Sequence, residues 1–162
     1  MIKLRSFQPN DVLLLIKYLN NLQVTHFLSS KIPSPYTEED ARWWIEKGCI
    51  LSNAWAIELD GQCVGCIGAM KGEFEYSKSA EIGYWLAQEY WGQGVVTTAL
   101  ALLIAQLQAT EVVRLHAVVF ENNLRSAKVL EKNGFLKEGC LHKAIYKNDR
   151  FYNALIYGKV VQ

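Results

Sequence analysis

The sequence has no surplus of charge of either sign. Among its 162 residues, lysine and arginine number 17 and aspartate and glutamate number 16, so the net charge is +1 at neutral pH. Proteins that bind nucleic acid broadly carry a clear basic surplus. We therefore expect no nucleic-acid partner for this chain.

The chain also lacks a long hydrophobic run, and its first residues do not have the pattern of a signal peptide. Its longest apolar stretch lies within residues 95–107 and is shorter than a membrane span requires. Residues 1–5 contain neither the apolar core nor the cleavage site of a signal peptide. We therefore expect no membrane association and a cytoplasmic location.

Cysteine is scarce, with only four in the chain. Cys63 and Cys66 have the spacing of a redox or zinc motif, but no second pair and no nearby histidine accompanies them. In an extended strand, side chains three positions apart point to opposite faces. We therefore interpret both as ordinary thiols, and we expect neither a disulfide nor a metal site.

The residues that are present have the patterning of a mixed α/β fold. Hydrophobic residues make up 51% of the chain and charged residues 20%, which is typical of a globular protein. The length predicts a single domain spanning residues 1–162. Periodicities and turn signals predict the order β-α-α-β-β-β-α-β-α-β-β. Helix caps are predicted at Asn10 or Asp11, at Thr37, and at Asn122 or Asn123, and a helix end is predicted at Gly134. Hairpin turns are predicted at Asp60-Gly61 and Asn148-Asp149.

The most informative stretch is the glycine turn, residues 92–97, between a predicted strand (residues 79–87) and a long predicted helix. Gly92 and Gly94 permit a tight bend and keep side chains away from a ligand. The first amides of the following helix have no intrahelical partner and lie at the positive end of its dipole. Such a junction can bind an anion, most often phosphate. A short Gly-x-Gly is equally compatible with an ordinary β–α connection.

Three segments follow one another in a specific order and spacing. They are Glu81-Ile82-Gly83-Tyr84-Trp85-Leu86, Trp91-Gly92-Gln93-Gly94-Val95-Val96-Thr97, and Asn123-Leu124-Arg125-Ser126 continuing to Leu130-Glu131-Lys132-Asn133-Gly134-Phe135. From Ile2 to Val161, the chain resembles the GNAT superfamily of acyl-CoA-dependent N-acetyltransferases, and within it the ribosomal-protein N-terminal acetyltransferases. The resemblance implies the GNAT fold, an α/β architecture with a mixed central sheet of about seven strands and about four helices.

The glycine turn departs from the common superfamily signature at two of three positions. Trp91 stands where the signature has glutamine or arginine, and Val96 stands where it has a small residue, whereas Gly94 matches. The Gly92-Gln93-Gly94 form is familiar in the ribosomal branch. Because backbone amides bind the diphosphate, we expect function to survive both changes.

The resemblance also implies which residues bind acetyl-CoA, the expected co-substrate. Pantetheine should lie beside the predicted strand like an extra strand and pair with the backbone of Trp85, Leu86 and Ala87. The Asn123 side chain should hydrogen-bond pantetheine, a role compatible with capping a helix. The diphosphate should be held by the backbone amides of Gly92, Gln93, Gly94, Val95, Val96 and Thr97.

The resemblance further implies how the leaving thiolate is stabilised. Some relatives use a tyrosine as the acid, but the matching position here is Leu130. Ser126, one helical turn earlier, is the expected thiolate-stabilising hydroxyl. Its alternative interpretation is a serine on the helix surface.

A carboxylate on the strand before the glycine turn removes the amine's proton in many relatives, and Glu81 is the residue that the resemblance implies here. Glu81 can equally be a strand-end carboxylate that balances Lys78 or Arg5. His116 is a second candidate base, although a histidine on an apolar strand is more often a satisfied core residue.

The sequence leaves the acceptor open. We expect an acetyl-CoA-dependent N-acetyltransferase that acts on a primary amine, the α-amino group of a protein N-terminus. The alternatives are a small-molecule amine, such as a polyamine or an aminoglycoside, and a non-catalytic acyl-CoA-binding module. A homodimer also stays open. Asn153 stands where an aspartate is common in the ribosomal branch. Several aromatic residues are candidates for an acceptor pocket, although they are equally suited to a core: Tyr36, Trp43, Trp44, Tyr146 and Tyr152.

Overall fold

The computed structural model describes every residue from Met1 to Gln162. Seven strands form one sheet, in which β4 and β5 are parallel while the β1–β2, β2–β3, β5–β7 and β6–β7 pairs are antiparallel, in the order β1-β2-β3-β4-β5-β7-β6. This confirms the predicted mixed sheet of seven strands. The strands are β1 (Ile2–Arg5), β2 (Ala54–Leu59), β3 (Gln62–Lys71), β4 (Ser79–Leu86), β5 (Arg114–Phe120), β6 (Leu136–Lys147) and β7 (Arg150–Val160).

The four predicted helices are present in the predicted order, together with two short additional helices and several single turns. None of them is long and apolar enough to span a membrane. A π-helical turn, Trp44–Gly48, joins α3 to α4, and a 3-10 turn, Gln88–Tyr90, follows β4. The helices are α1 (Val12–Leu19), α2 (Leu22–Thr25), α3 (Glu38–Trp43), α4 (Cys49–Leu51), α5 (Val95–Gln108) and α6 (Leu124–Lys132).

Local sequence signals set several element ends. The Thr37 hydroxyl accepts from the Asp40 amide at 3.3 Å, and the Asp40 carboxylate accepts from the Thr37 amide at 2.8 Å, so a capping box opens α3. Asn123 caps α6, because its side-chain oxygen accepts from the Ser126 amide at 3.4 Å. Gly134 has φ +80° after α6, which confirms the predicted helix end.

The predicted cap of α1 at Asn10 or Asp11 is wrong, because a 3-10 turn precedes the helix and no side chain caps it. Asp11 is 2% exposed and accepts from both terminal nitrogens of Arg5, at 2.8 and 3.0 Å. The Arg5 Nε also donates to Glu58 at 2.6 Å. The hydrogen bond to Asp11 raises the pKa of Arg5, so the buried carboxylate keeps a permanent cation beside it.

The chain forms two compact units. The first contains residues 1–70 and 83–103, and the second contains residues 71–82 and 104–162. In the first unit α1 packs on β2 and β3 through a cluster that includes Phe7, Val12, Leu15, Leu19, Ala56, Cys63 and Cys66. In the second unit the buried residues include Leu115, Leu130, Phe135, Ala154 and Tyr157.

The prediction that Cys63 and Cys66 face opposite sides of their strand is wrong. Glu58 lies opposite Cys63 and Ile57 lies opposite Gly65, so β3 has a bulge between them. A bulge adds one residue and shifts the alternation, which brings both thiols into one core cluster. Both are free and buried, and burial raises the pKa of Cys63 to about 12.

Candidate functional site

The glycine turn has an open and strongly bent backbone. Gly92 and Gly94 both have φ +75°, a conformation that L side chains rarely adopt. A Cβ atom built on either glycine would have no other atom within 4 Å. The space beside both Cα atoms is therefore available to a ligand that approaches the backbone.

Helix α5 begins directly at this turn. The Thr98 amide donates to the Gly94 carbonyl at 3.1 Å, which is the first bond of the helix. The preceding first-turn amides, of Val95 and Val96, have no acceptor within the helix and lie at the positive end of its dipole. The arrangement suits an anion such as a diphosphate, because backbone N–H groups and the dipole act together. Thr97 is half-buried at this helix start.

The structure shows why the atypical Val96 can be accommodated. Its side chain is 8% exposed and that of Val95 is 3% exposed, so both pack into the interior. Gly92, Gln93 and Gly94 are exposed. The bulk of valine therefore lies in the core and does not cover the exposed glycine backbone.

Trp91, the second atypical residue, ties the glycine turn to the end of β4. Its indole Nε1 donates to the Leu86 carbonyl at 2.8 Å. The Gln93 side chain donates to the Glu89 carbonyl at 3.0 Å and closes the turn from the other end. Neither contact could be predicted from the sequence, because neither residue type is specific to such a role.

Two polar contacts from the helices anchor the segment before the glycines. Lys17 on α1 pairs with Glu89 at 2.9 Å, and Asn21, which caps α2, donates to Gln88 at 2.9 Å. The hydrogen bond from Lys17 lowers the pKa of Glu89. No local pattern could have predicted either contact, because the partners are 72 and 67 positions apart.

The backbone of the predicted pantetheine-pairing residues is partly engaged within the protein. The Ala87 amide donates to the Val64 carbonyl at 2.9 Å, and the Ala87 carbonyl accepts from the Tyr90 amide at 3.0 Å. An N–H donates one hydrogen bond, whereas a carbonyl has two lone pairs. Pairing between pantetheine and Trp85, Leu86 or Ala87 stays a prediction, in which Ala87 can offer its carbonyl but not its amide.

Glu81 is exposed on β4 in the second unit. Neither cation proposed as its structural partner is available to balance it. Lys78 pairs with Glu111, and Arg5 pairs with Asp11. This weakens the alternative that Glu81 only balances a lysine or an arginine, and it leaves an exposed carboxylate that can accept a proton.

His116 lies opposite Glu81 in the parallel ladder between β4 and β5. It is half-buried, so it is not the fully enclosed core residue that its strand context favoured. Val118, two positions further along β5, lies on the same face of the strand as His116 and is 46% exposed, so this face is open to solvent. Residues that are paired across neighbouring strands project from the same face of a sheet. The carboxylate of Glu81 and the imidazole of His116 therefore share one face.

Asn123 and Ser126 lie together at the start of α6. The Asn123 carbonyl also accepts from the Ala127 amide at 3.2 Å, so Asn123 and the first turn of α6 form one hydrogen-bonded unit. Both Asn123 and Ser126 are half-buried. Leu130, where some relatives have a catalytic tyrosine, is fully buried and packs in the core.

The structure divides the aromatic candidates for an acceptor pocket. Tyr36 is 6% exposed and burial raises its pKa to about 12, so it is a core residue. Trp44 packs against the core of the first unit, and Tyr152 packs at 5.3 Å against an aromatic ring of β5. Trp43 and Tyr146 are 52% and 61% exposed. Only these last two present most of their surface to a partner.

Comparison with known proteins places the chain among acetyltransferases. Residues 2–136 match the family model described as the acetyltransferase (GNAT) domain. The ribosomal-protein-serine acetyltransferase of Escherichia coli is 31% identical over 131 residues, which cover 77% of this chain and 73% of that protein.

Solved structures share the fold. RimL, a ribosomal L7/L12 alpha-N-protein acetyltransferase in complex with coenzyme A, has a TM-score of 0.87 at 21% identity and covers 98% of this chain and 93% of its own. The microcin C7 self-immunity acetyltransferase MccE, in complex with acetyl-CoA and AMP, has a TM-score of 0.85 at 24% identity, with coverage of 98% and 92%. At these identities the likeness shows the fold alone.

Proposed function

The chain belongs to the GNAT acetyltransferase family, and from this premise we propose that it transfers the acetyl group of acetyl-CoA to the α-amino group of a protein N-terminus. It is an acetyl-CoA-dependent N-acetyltransferase. The observation that carries the proposal is the glycine turn, where two glycines at φ +75° with open space beside them lead into α5. Such a backbone surface suits the diphosphate of an extended anionic co-substrate.

Acetyl-CoA binding is assigned to the backbone more than to side chains. The amides of residues 92–97 would hold the diphosphate, with the dipole of α5 adding attraction for its negative charge. Pantetheine would pair with the end of β4 at Trp85, Leu86 and the carbonyl of Ala87. Asn123 would donate its side-chain amide to pantetheine while its oxygen caps α6.

The reaction forms a C–N bond and breaks the thioester C–S bond. The neutral amine attacks the thioester carbonyl carbon, and the tetrahedral intermediate expels the CoA thiolate. Glu81 would accept the amine's proton, directly or through water, and Ser126 would donate a hydrogen bond to the leaving thiolate. Glu81 is exposed and Ser126 is half-buried, which is compatible with these roles.

The Escherichia coli relative is named for a serine of a ribosomal protein, and RimL is named an alpha-N-protein acetyltransferase, so the two names together support a protein N-terminus as the acceptor. We would measure acetyl-CoA consumption with peptides that carry free N-termini, including one that begins with serine, and with polyamines and aminoglycosides. Turnover on peptides alone supports the proposal. Turnover on small amines alone would show that the acceptor is a small amine and not a protein N-terminus. Acetyl-CoA binding without any turnover would favour a non-catalytic acyl-CoA-binding module.

A further inference from the structure

One polar cluster joins three segments of the second unit around Asn153 of β7. The Asn153 backbone amide donates to Glu121 Oε1 at 3.2 Å, and the Asn153 side-chain amide donates to Glu121 Oε2 at 2.9 Å. The Glu121 amide donates back to the Asn153 carbonyl at 3.1 Å. The Asn153 side-chain oxygen accepts from the Lys143 amide of β6 at 2.9 Å. We call this cluster the Glu121–Asn153 clamp.

The clamp requires an amide at position 153. The Lys143 amide needs an acceptor, and the Glu121 carboxylate needs a donor, so an asparagine fits both while an aspartate fits only the first. An aspartate would place a carboxylate oxygen where the donating nitrogen now lies, 2.9 Å from Glu121 Oε2. Two carboxylates at that distance repel each other. Asn153 is therefore matched to Glu121 in this chain.

The clamp holds Glu121, the first residue of the turn that joins β5 to α6. Glu121 follows β5 directly, and the Asn123 amide donates to the Phe120 carbonyl at 2.9 Å within this turn. Asn123 then accepts from the Ser126 amide. The ring of Phe120 also packs on Tyr152 at 5.3 Å, beside the clamp. A continuous set of contacts thus runs from Asn153 to Asn123 and Ser126.

We propose that Glu121 and Asn153 are positioning residues that orient the Asn123 side chain for acetyl-CoA. The inference rests on the proposed function, because Asn123 is there assigned to pantetheine. The bonds to Glu121 are charge-assisted and are stronger than neutral ones. Loss of the clamp releases the turn at Glu121 and lets Asn123 leave its binding orientation, while the core beneath α6, centred on Leu130, stays intact.

The test measures the Kd for acetyl-CoA by calorimetry, together with the melting temperature. Asn153→Asp should weaken binding roughly tenfold, because a donated charge-assisted bond becomes a repulsion. Glu121→Gln, which loses one of two accepted bonds without repulsion, should weaken it by about threefold. Glu121→Gln also keeps the test decisive where Asn153→Asp does not fold. Asn148→Asp is the matched control, since it adds the same charge at an exposed turn of the same hairpin, and should leave the Kd unchanged.

The charge swap Glu121→Gln with Asn153→Asp tests whether the pairing of the two side chains, and not either residue alone, sets the affinity. The glutamine can donate to the new carboxylate and still accept from the backbone amide of residue 153, and the carboxylate still accepts from Lys143. We expect the Kd to return to within about twofold of the native value. A swap that stays as weak as Asn153→Asp overturns the inference.

Asn123→Ala completes the test. If it weakens binding and Asn153→Asp adds nothing further to it, the clamp acts through Asn123. If Asn123→Ala weakens binding while the clamp variants bind normally, the clamp inference fails and the proposed function stands. The same holds if the losses of affinity in Asn123→Ala and Asn153→Asp add fully in the double variant. If Asn123→Ala binds normally, the assigned role of Asn123 fails and the inference fails with it.

Discussion

At the scale of single residues, the two departures from the superfamily signature have different physical explanations. Val96 is large, but its side chain is buried, so it leaves the ligand side of the turn open. Trp91 replaces a polar residue but still supplies a donor, because its indole binds the Leu86 carbonyl. The sequence could mark both as unusual, but only the direction of each side chain shows why the turn tolerates them.

Ser126→Ala should lower turnover much more than acetyl-CoA affinity. The hydroxyl is assigned to the thiolate, whose charge exists only late in the reaction, so its loss should reduce kcat by roughly ten- to a hundredfold. Steady-state kinetics and a calorimetric Kd separate the two effects. A variant with native kcat would remove Ser126 from the mechanism.

Glu81→Gln should reduce turnover by about a hundredfold or more, because a general base is removed. The loss should be most pronounced at low pH, where the amine is protonated and base assistance matters most. Glu75→Gln is the control, since Glu75 is an exposed glutamate of the same unit. An unaltered pH–rate profile in Glu81→Gln would make Glu81 structural and leave His116 as the candidate base.

Arg5→Met should destabilise the fold by about 3–5 kcal/mol, because it leaves the buried Asp11 carboxylate without its cation. Arg42→Met provides the comparison. Arg42 pairs with Glu38 across exposed helix surface, so its loss should cost less than about 1 kcal/mol. Urea unfolding measures the change in the free energy of unfolding for both variants. Equal losses of stability would contradict the larger contribution that we assign to the buried Arg5–Asp11 pair.

At the scale of elements, the sequence predicted what depends on neighbours along the chain. The Asp60-Gly61 turn has φ values of +50° and +89°, and Asn148 and Asp149 have +51° and +58°, as their residue types indicate. The bulge in β3 and the π-helical turn were missed. The bulge follows from the pairing of β3 with β2, a contact between strands that has no local signal, and no sequence pattern marked the π-helical turn.

The π-helical turn gives a test at this scale. A Cβ added to Gly48 would lie 2.6 Å from ring atoms of both Trp43 and Trp44. Alanine favours a helix over glycine by about 1 kcal/mol, but overpacking against rigid rings costs about 1–3 kcal/mol. We expect Gly48→Ala to lower the free energy of unfolding.

The matched substitution is Gly139→Ala in β6, where an added Cβ meets nothing within 4 Å. It should be neutral or stabilise the fold, because glycine weakens a strand interior. Chemical denaturation of both variants measures the difference. A Gly48→Ala protein as stable as Gly139→Ala would show that the indoles move aside at no cost.

At the scale of the whole molecule, the fold was predictable and the contacts that support the glycine turn were not. Three ordered segments and the strand–helix order sufficed for the fold, because a family retains them together. The ties from Lys17 and Asn21 to Glu89 and Gln88 join distant parts of the chain. Roles for Glu81, Ser126 and Asn123 came from the resemblance, and they stay predictions until substitutions test them.

Calorimetric titration of acetyl-CoA into Gly94→Glu tests the binding role of the glycine turn most directly. The matched control is Gly61→Glu, since Gly61 also has a positive φ, +89°, and open space beside it, but lies in the β2–β3 hairpin. Both variants place a glutamate at a positive φ and add the same charge. We expect Gly94→Glu to weaken binding by about a hundredfold or more, equivalent to about 2.8 kcal/mol, and Gly61→Glu to bind as the native protein does. Native affinity in Gly94→Glu would contradict the assignment of the glycine turn to the diphosphate of acetyl-CoA.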